Sequence, residues 1–359
     1  MRVAFLIEDS LPNGRVGPEH TPHLWRLITE EGGWAPDGGR SVLASSTYPN
    51  HASFVTGADV QQHRIFTNDV WDSEQEAFIC SAFVGPAIET VFDAARRAGL
   101  STSAILGDQT MVGSMDAPSA DVHWPPMGEP PEGAATDSLG YMATSEVIAA
   151  ADRLDAWAAD LVFIHGNEPD SALHLYGPDA PETIDAIHQC DVQLAEMVDR
   201  LRPRWDETVV FVVSDHEQEQ IDHRFDAIDL GAELDAAGLP GIAHNEGTVG
   251  LVIESPGAAA IRRLDPIEDA VDLDEGITLA WSGPGRVFGR RHKSINGQHG
   301  SPRTRTQVAS VFGGHPVVKT LADELASTTP SATDYAPTMA ALLGFDLPHA
   351  TGRSLLQTS

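Results

Sequence analysis

The side chains best suited to chemistry in this chain are carboxylates, imidazoles and one run of hydroxyls, and they fall where short apolar runs end. Asp9 closes the segment begun by Val3 to Ile7, Asp215 and His216 follow Val209 to Val213, and Asp170 and His174 lie just beyond Leu161 to Ile164. Asp170 and His174 are four residues apart, a spacing that puts both on one side of a helical turn and lets them hold a single cation. The same spacing arises on ordinary solvated helix faces, and Asp after a strand commonly caps a turn, so each pair alone says little. A last candidate ligand is His299 in Gly297-Gln298-His299-Gly300, where the glycines leave room for close approach of a ligand or another backbone. The other histidines, His51 and His165 among them, carry no such pattern and are expected as solvated or satisfied core residues.

The hydroxyl run is Ser45-Ser46-Thr47-Tyr48-Pro49-Asn50-His51, followed by the apolar Ala52, Phe54 and Val55. A helix starting near Pro49 aims its unpaired N–H groups and positive dipole end at Thr47, a place suited to phosphoryl oxygens. A hydroxyl there becomes a competent nucleophile if a cation stabilises its alkoxide. The alternative is Ser/Thr capping of an ordinary helix.

These groups need elements to bring them together. Short β-branched runs alternate with helical patterns along the whole chain, the order that gives an α/β fold with a mainly parallel central sheet and helices on both faces. In such a sheet the carboxyl ends of the strands share one edge, where ligands bind, so Asp9, Asp170, His174, Asp215 and His216 can converge there. Thr21 is read as the cap of a helix with Pro22 in its first turn, and Gly32 and Gly33 as its end. Ile88, Val91, Phe92 and Ala95 form a helical stripe stopped by Gly99, Val308 to Phe312 is a strand, and Asp334 caps a helix carrying Met339, Leu342 and Leu343. Residues 1–359 read as a single α/β catalytic domain. Within it, 107–137 is a Pro-rich surface loop, and 217–295 holds strands at Thr248 to Ile253 and Gly276 to Trp281 and a helix begun by Pro256, a small inserted α+β subdomain.

Of 359 residues, 53 are acidic and 22 basic, a formal charge of −31 that repels nucleic acid and anionic lipid, so duplex or membrane binding is not expected. Cys80 and Cys190 are the only cysteines and make neither a disulfide framework nor a zinc cluster. No stretch approaches the roughly 18 apolar residues of a membrane span, and the N-terminus lacks a signal-peptide pattern, so a cytoplasmic location is the expectation.

Taken together, Asp9, Thr47-Tyr48-Pro49-Asn50-His51, Asn68, Asp170 with His174, Ser214-Asp215-His216 and His299 resemble the alkaline phosphatase superfamily, in particular its type I phosphodiesterase/nucleotide pyrophosphatase branch. His20-Thr21-Pro22-His23-Leu24 and Asp334-Tyr335-Ala336-Pro337-Thr338 look like that branch's flanking segments. The resemblance implies two divalent metal ions, one on Asp9, Thr47, Asp215 and His216, the other on Asp170, His174 and His299. Zinc is the implied ion, and this mixed carboxylate and imidazole set also suits manganese or iron. It further implies Thr47 as nucleophile in a two-metal, in-line displacement through a phospho-threonine. Asn68, twenty-one residues beyond Thr47, would donate to a nonbridging phosphoryl oxygen, and Tyr48 would wall the substrate pocket.

Two positions depart from the family pattern: Ser10 and Glu217 stand where glycine is usual, and Glu217 adds a carboxylate near the ligands. Cys80-Ser81-Ala82-Phe83-Val84 lacks the Cys-x-Pro-x-Arg pattern of resembling sulfatases. The implied activity is hydrolysis of a small-molecule phosphate diester. Alternatives are a phosphomonoesterase, a phosphonate hydrolase of the phosphonoacetate type, a metal-dependent phosphomutase, or a non-catalytic protein that binds metal and a phosphorylated ligand.

Overall fold

Strand β1 (Arg2–Glu8) is buried at all seven residues, and a strand apolar on both sides belongs at the centre of a sheet covered on both faces. The computed structural model, which describes residues 1–356, places it there. After β1 come helix α1 (Pro22–Glu30), strand β2 (Gly32–Trp34), helix α2 (Thr47–Thr56) and a hairpin of β3 (Asp69–Asp72) and β4 (Ala77–Cys80). Next are helix α3 (Val91–Arg97), strands β5 (Thr102–Leu106) and β6 (Val122–Trp124), helix α4 (Thr144–Arg153) and strand β7 (Leu161–Gly166). Helices α5 (Asp170–Tyr176) and α6 (Pro181–Leu201) lead to strand β8 (Thr208–Val213). Strands β9 (Ile242–Glu246), β10 (Val249–Ile253), β11 (Asp269–Asp274) and β12 (Ile277–Trp281) follow, then β13 (Ala309–Gly313) and helix α7 (Tyr335–Leu343).

The central sheet runs β2-β13-β8-β1-β7-β5-β6. From β8 through β6 every pairing is parallel, whereas β13 lies antiparallel to β8 and β2 antiparallel to β13. Alternation along β1 sends Val3, Phe5 and Ile7 into one apolar layer and Ala4 and Leu6 into the other. Phe5 is the hub of the first layer. Its ring lies 5.3 Å from Phe54 of α2, 5.1 Å from Phe163 of β7, 6.1 Å from Phe211 of β8 and 5.3 Å from Tyr335 of α7, so one side chain ties the strands to the helix that begins with Thr47.

Strands β9 to β12 form a separate antiparallel sheet in the order β9-β10-β12-β11. One face covers its own small core of Leu230, Leu234, Val252, Ile261 and Phe288, while Val249, Leu251 and Leu279 join the main apolar layer. Among the described residues no helix is long and apolar enough to cross a membrane.

Several local expectations are corrected. The segment 107–137 is more than a surface loop: it contributes the edge strand β6 and buries Met111, Val112, Met115 and Ala117, because its apolar residues find the main core. Thr21 precedes α1 but its side chain does not cap it; Asp191 of α6 does, accepting from the N–H groups of His23 and Leu24 at 2.8 Å each. Gly32 and Gly33 lie beyond α1 and inside β2, where Gly32 meets the β13 backbone too closely for any side chain. Ile88 precedes α3, and Asp334 spends its carboxylate on the N–H groups of Ser331 and Arg353, at 2.9 Å each, instead of on α7.

Replacing Phe5 by alanine empties the hub of the first layer. The expected loss is about 3–5 kcal/mol of unfolding free energy, read as a lowered denaturant midpoint with unchanged slope.

Candidate active site

The carboxyl ends of β1, β7 and β8 lie side by side, and the chain leaves each with an acidic group. Asp9 follows β1, Asp215 and His216 follow β8, and Asp170 opens α5 four residues after β7. His299 stacks on His216 at 3.9 Å between ring centres, and His174 lies 5.1 Å from His299. Ligand atoms of Asp170, His174 and His299 lie within 4.8 Å of one another, and so do those of Asp9, Asp170 and His216. Gly297 allows this approach, since a Cβ there would stand 2.3 Å from the carbonyl oxygen of Leu173 on α5.

A common pattern governs how these groups are held. Each of the three carboxylates has one oxygen tied down and leaves the other for the centre. Asp9 Oδ2 meets His165 Nε2 at 2.9 Å, and Oδ1 has no partner. Asp215 Oδ1 accepts the N–H groups of Ser10 and His216 at 3.0 Å each, and Oδ2 has no hydrogen bond. Asp170 Oδ1 accepts the Ser10 hydroxyl at 2.7 Å and the Gln218 amide at 2.6 Å, leaving Oδ2 3.3 Å from His174 Nε2. The imidazoles repeat the pattern. His174 Nδ1 donates to the Gly297 carbonyl at 2.9 Å, and His216 Nδ1 meets the Ser10 hydroxyl at 2.9 Å, so both present Nε2 inward. His299 Nδ1 is buried without a partner.

Thr47 is the first residue of α2, which begins two residues earlier than the proline suggested, and Ser46 makes no side-chain cap. The Tyr48 N–H is taken by Asn68 Oδ1 at 3.0 Å and Pro49 has none, which leaves the Thr47 N–H and hydroxyl at the helix start. The Thr47 hydroxyl lies 3.2 Å from His216 Nε2. Because Asn68 uses its carbonyl on Tyr48, its amino group is the part left to donate. Tyr48 and Asn68 line a cleft of about 300 Å³ together with His174 and His299. The Tyr48 hydroxyl donates to Asp108 at 2.8 Å, which fixes this wall of the cleft.

Electrostatics explain why the centre is unusual. Burial, with the Asp215 and Asp170 carboxylates beside it, holds the Asp9 carboxyl well above the usual carboxylate range. Burial pushes Asp215 upward too, but the imidazoles of His216 and His51 and the Ser10 N–H bring it to a net lowering. His299 is held well below the usual imidazole value by burial and by neighbouring His216 and His174. Packed carboxylates with free inward oxygens beside imidazole nitrogens are a donor set that a divalent cation satisfies. These residues therefore fit metal ions.

Some contributors had no signal as ligands. His165 accepts the Gly107 N–H on Nδ1 at 3.3 Å, so its Nε2 carries the proton given to Asp9. His51 bonds the Thr47 carbonyl through Nδ1 at 2.7 Å and faces Asp215 Oδ2 at 3.6 Å. Ser10 adopts φ +60°, the left-handed region that glycine favours, and its departure from the family glycine was the one visible hint of its role. Glu217 is a correction: its carboxylate turns away to accept the Asn13 N–H at 2.9 Å and is not one of the clustered groups.

The mainly parallel, doubly covered sheet, with carboxylates and imidazoles at its strand ends, is an alkaline phosphatase-like α/β fold. The type I phosphodiesterase / nucleotide pyrophosphatase family model matches residues 3–305, and the chain belongs to that family. Among solved structures it is similar to murine ectonucleotide pyrophosphatase/phosphodiesterase 5, solved as an inactive variant in complex with AMP, with TM-score 0.74, 18% identity and coverage of 98% of this chain and 97% of that one. A second structure of the same murine protein gives TM-score 0.73 at 18% identity and the same coverage. Its human counterpart gives 0.72 at 19% identity, covering 96% of each chain. At these identities the likeness concerns the fold.

His165→Phe and Ser10→Gly remove donors that orient carboxylates without removing any proposed ligand. Each is expected to weaken metal binding by about 10–100-fold, measured by competition with a chromophoric chelator, while the melting profile stays cooperative. Unchanged affinity in both would show that the tied oxygens need no anchoring.

Proposed function

We propose that this protein hydrolyses small-molecule phosphate diesters with Thr47 Oγ1 as nucleophile. The observation that carries the reading is the placement of the Thr47 hydroxyl, at a helix start, 3.2 Å from His216 Nε2 and beside carboxylates whose inward oxygens are unpaired. Asp9, Thr47, Asp215 and His216 would hold one divalent cation and Asp170, His174 and His299 the other, with zinc the first choice and manganese or iron compatible. Bound there, the cations supply charge that stabilises the attacking and leaving oxygens.

The chain's own groups do the rest. The Thr47 N–H and the Asn68 amino group donate to the nonbridging oxygens and orient phosphorus for in-line attack. The bond from Thr47 Oγ1 to phosphorus forms as the bond to the leaving alcohol breaks. Water then cleaves the phospho-threonine bond and regenerates the hydroxyl. Tyr48, held by Asp108, gives the retained substituent a fixed wall.

Charge on the cleft favours the diester. Asp69 and Glu246 line it, and carboxylates there repel a monoester dianion more than a diester monoanion. Arg291 also lines the cleft, which keeps a phosphomonoesterase or phosphonate hydrolase as the second reading. Because the similar murine protein was solved in complex with AMP, a nucleotide-containing diester is the first natural substrate to try.

On an aryl phosphodiester at matched metal content, Thr47→Ala should lower kcat by roughly 10³-fold or more. Wild-type rates in that variant would remove Thr47 from the chemistry. Exhaustive chelation should abolish turnover of the wild type, and added zinc or manganese should restore it; turnover that survives chelation would refute the metal requirement.

A further inference from the structure

Among the described residues, one set of side chains that shares no member with the Asp9, Asp170, His174, His216 and His299 groups also has the donors and spacing of a cation site. Asp69, the first residue of β3, and His244 and Glu246 of β9 bring ligand atoms within 4.8 Å of one another. His244 and Glu246 are two apart on an extended strand and so share a face. His244 Nε2 lies 3.3 Å from Asp69 Oδ2 and 3.3 Å from Glu246 Oε2.

Those lengths are informative within this molecule. Where an imidazole and a carboxylate make an ordinary hydrogen bond, between His165 and Asp9, the separation is 2.9 Å. Where they are paired in the strand-end cluster, it is 3.3 Å for His174 with Asp170 and 3.2 Å for His216 with Asp215. A tetrahedral zinc with ligands at about 2.0–2.1 Å sets edges between them of roughly 3.3–3.4 Å. His244 hydrogen-bonds Glu246 at 3.3 Å, longer than the 2.9 Å of His165 with Asp9, and its separations from both carboxylates equal the edges that a shared tetrahedral ion would set. Phe78 stacks on the His244 ring at 4.4 Å and fixes its plane. Glu246 also accepts the Asn68 N–H at 3.1 Å, which ties this cluster to the cleft. A competing cation is near, since Arg291 approaches Asp69 Oδ2 at 3.6 Å, but its side chain is 61% exposed and its approach is to Asp69.

We propose that Asp69, His244 and Glu246 form a further site for a divalent cation of the zinc or manganese type, in the cleft wall beside Asn68. A cation there would not touch Thr47 and would offset the negative charge of Asp69 and Glu246 on the cleft wall, so the diester preference argued from those carboxylates describes the wall without it.

The test is metal stoichiometry of the full chain, stripped and then dialysed to equilibrium against zinc and, separately, manganese, with metal measured per chain by elemental analysis. His244→Ala and Asp69→Asn should each lose one equivalent relative to wild type, with cooperative melting retained in at least one of them. A variant combining Asp170→Asn with His174→Ala should lose a different equivalent and keep the one that depends on His244. Equal stoichiometry in wild type, His244→Ala and Asp69→Asn overturns the proposal and makes His244 an ion-paired imidazole. If the only metal bound is the one lost in His244→Ala, this site stands and the two-metal reading of the strand ends fails.

Discussion

The constraint on which this structure depends is the mutual repulsion of Asp9, Asp170 and Asp215, buried together at the ends of neighbouring strands. Burying carboxylates side by side costs several kcal/mol per ion unless something positive is shared among them. The fold offsets part of that cost with hydrogen bonds from His165, Ser10 and Gln218 that together tie one oxygen of each carboxylate. The oxygens left unpaired are arranged toward one centre. A protein core selected only for stability would replace such groups with apolar residues; keeping them oriented and half satisfied fits a site able to hold cations.

Much of this was legible in the sequence because parallel sheets are simple: a buried strand is a continuous apolar run, and the residues just past its carboxyl end lie on the binding edge. Asp9, Asp170, Asp215 and His216 could be placed on that edge from the runs that precede them. Thr47 was legible through its neighbourhood, although its helix begins at the threonine itself and not near Pro49. The groups that hold the ligands were not legible, since their contacts span long sequence distances and leave no periodic trace. His165 looks like one more buried strand residue until its ring is seen against Asp9, and Asp191 like a helix-face acid until it caps α1. The segment 107–137 misled for a related reason: prolines signal breaks in helix and strand but say nothing about Met111 and Met115, just ahead of them, reaching the core.

Ser10 shows how local strain and site geometry are linked. A left-handed backbone at a residue other than glycine costs roughly 1–2 kcal/mol, and a glycine would avoid it. The serine instead uses that conformation to send its N–H to Asp215 and its hydroxyl to both Asp170 and His216. One residue thereby contacts the proposed ligands that follow β8 and the one that opens α5, which on the proposed reading would hold different cations. Strain stored in this way is tolerated where the surroundings over-determine the conformation, which is common at functional sites.

The cleft carries the remaining tension. A phosphoryl group needs positive potential, yet the chain is strongly acidic overall and places Asp69 and Glu246 on the cleft wall. Side chains that could balance them are few there: Arg291 is largely exposed, and His292 is held down to about 4 by burial and by Arg291, so it is neutral near pH 7. Attraction for a phosphoester must then come from the helix start at Thr47, the Asn68 amide and whatever cations the carboxylates gather. On the proposed reading, substrate binding would depend on metal loading, since without cations the same walls that shape the cleft repel a phosphoester anion.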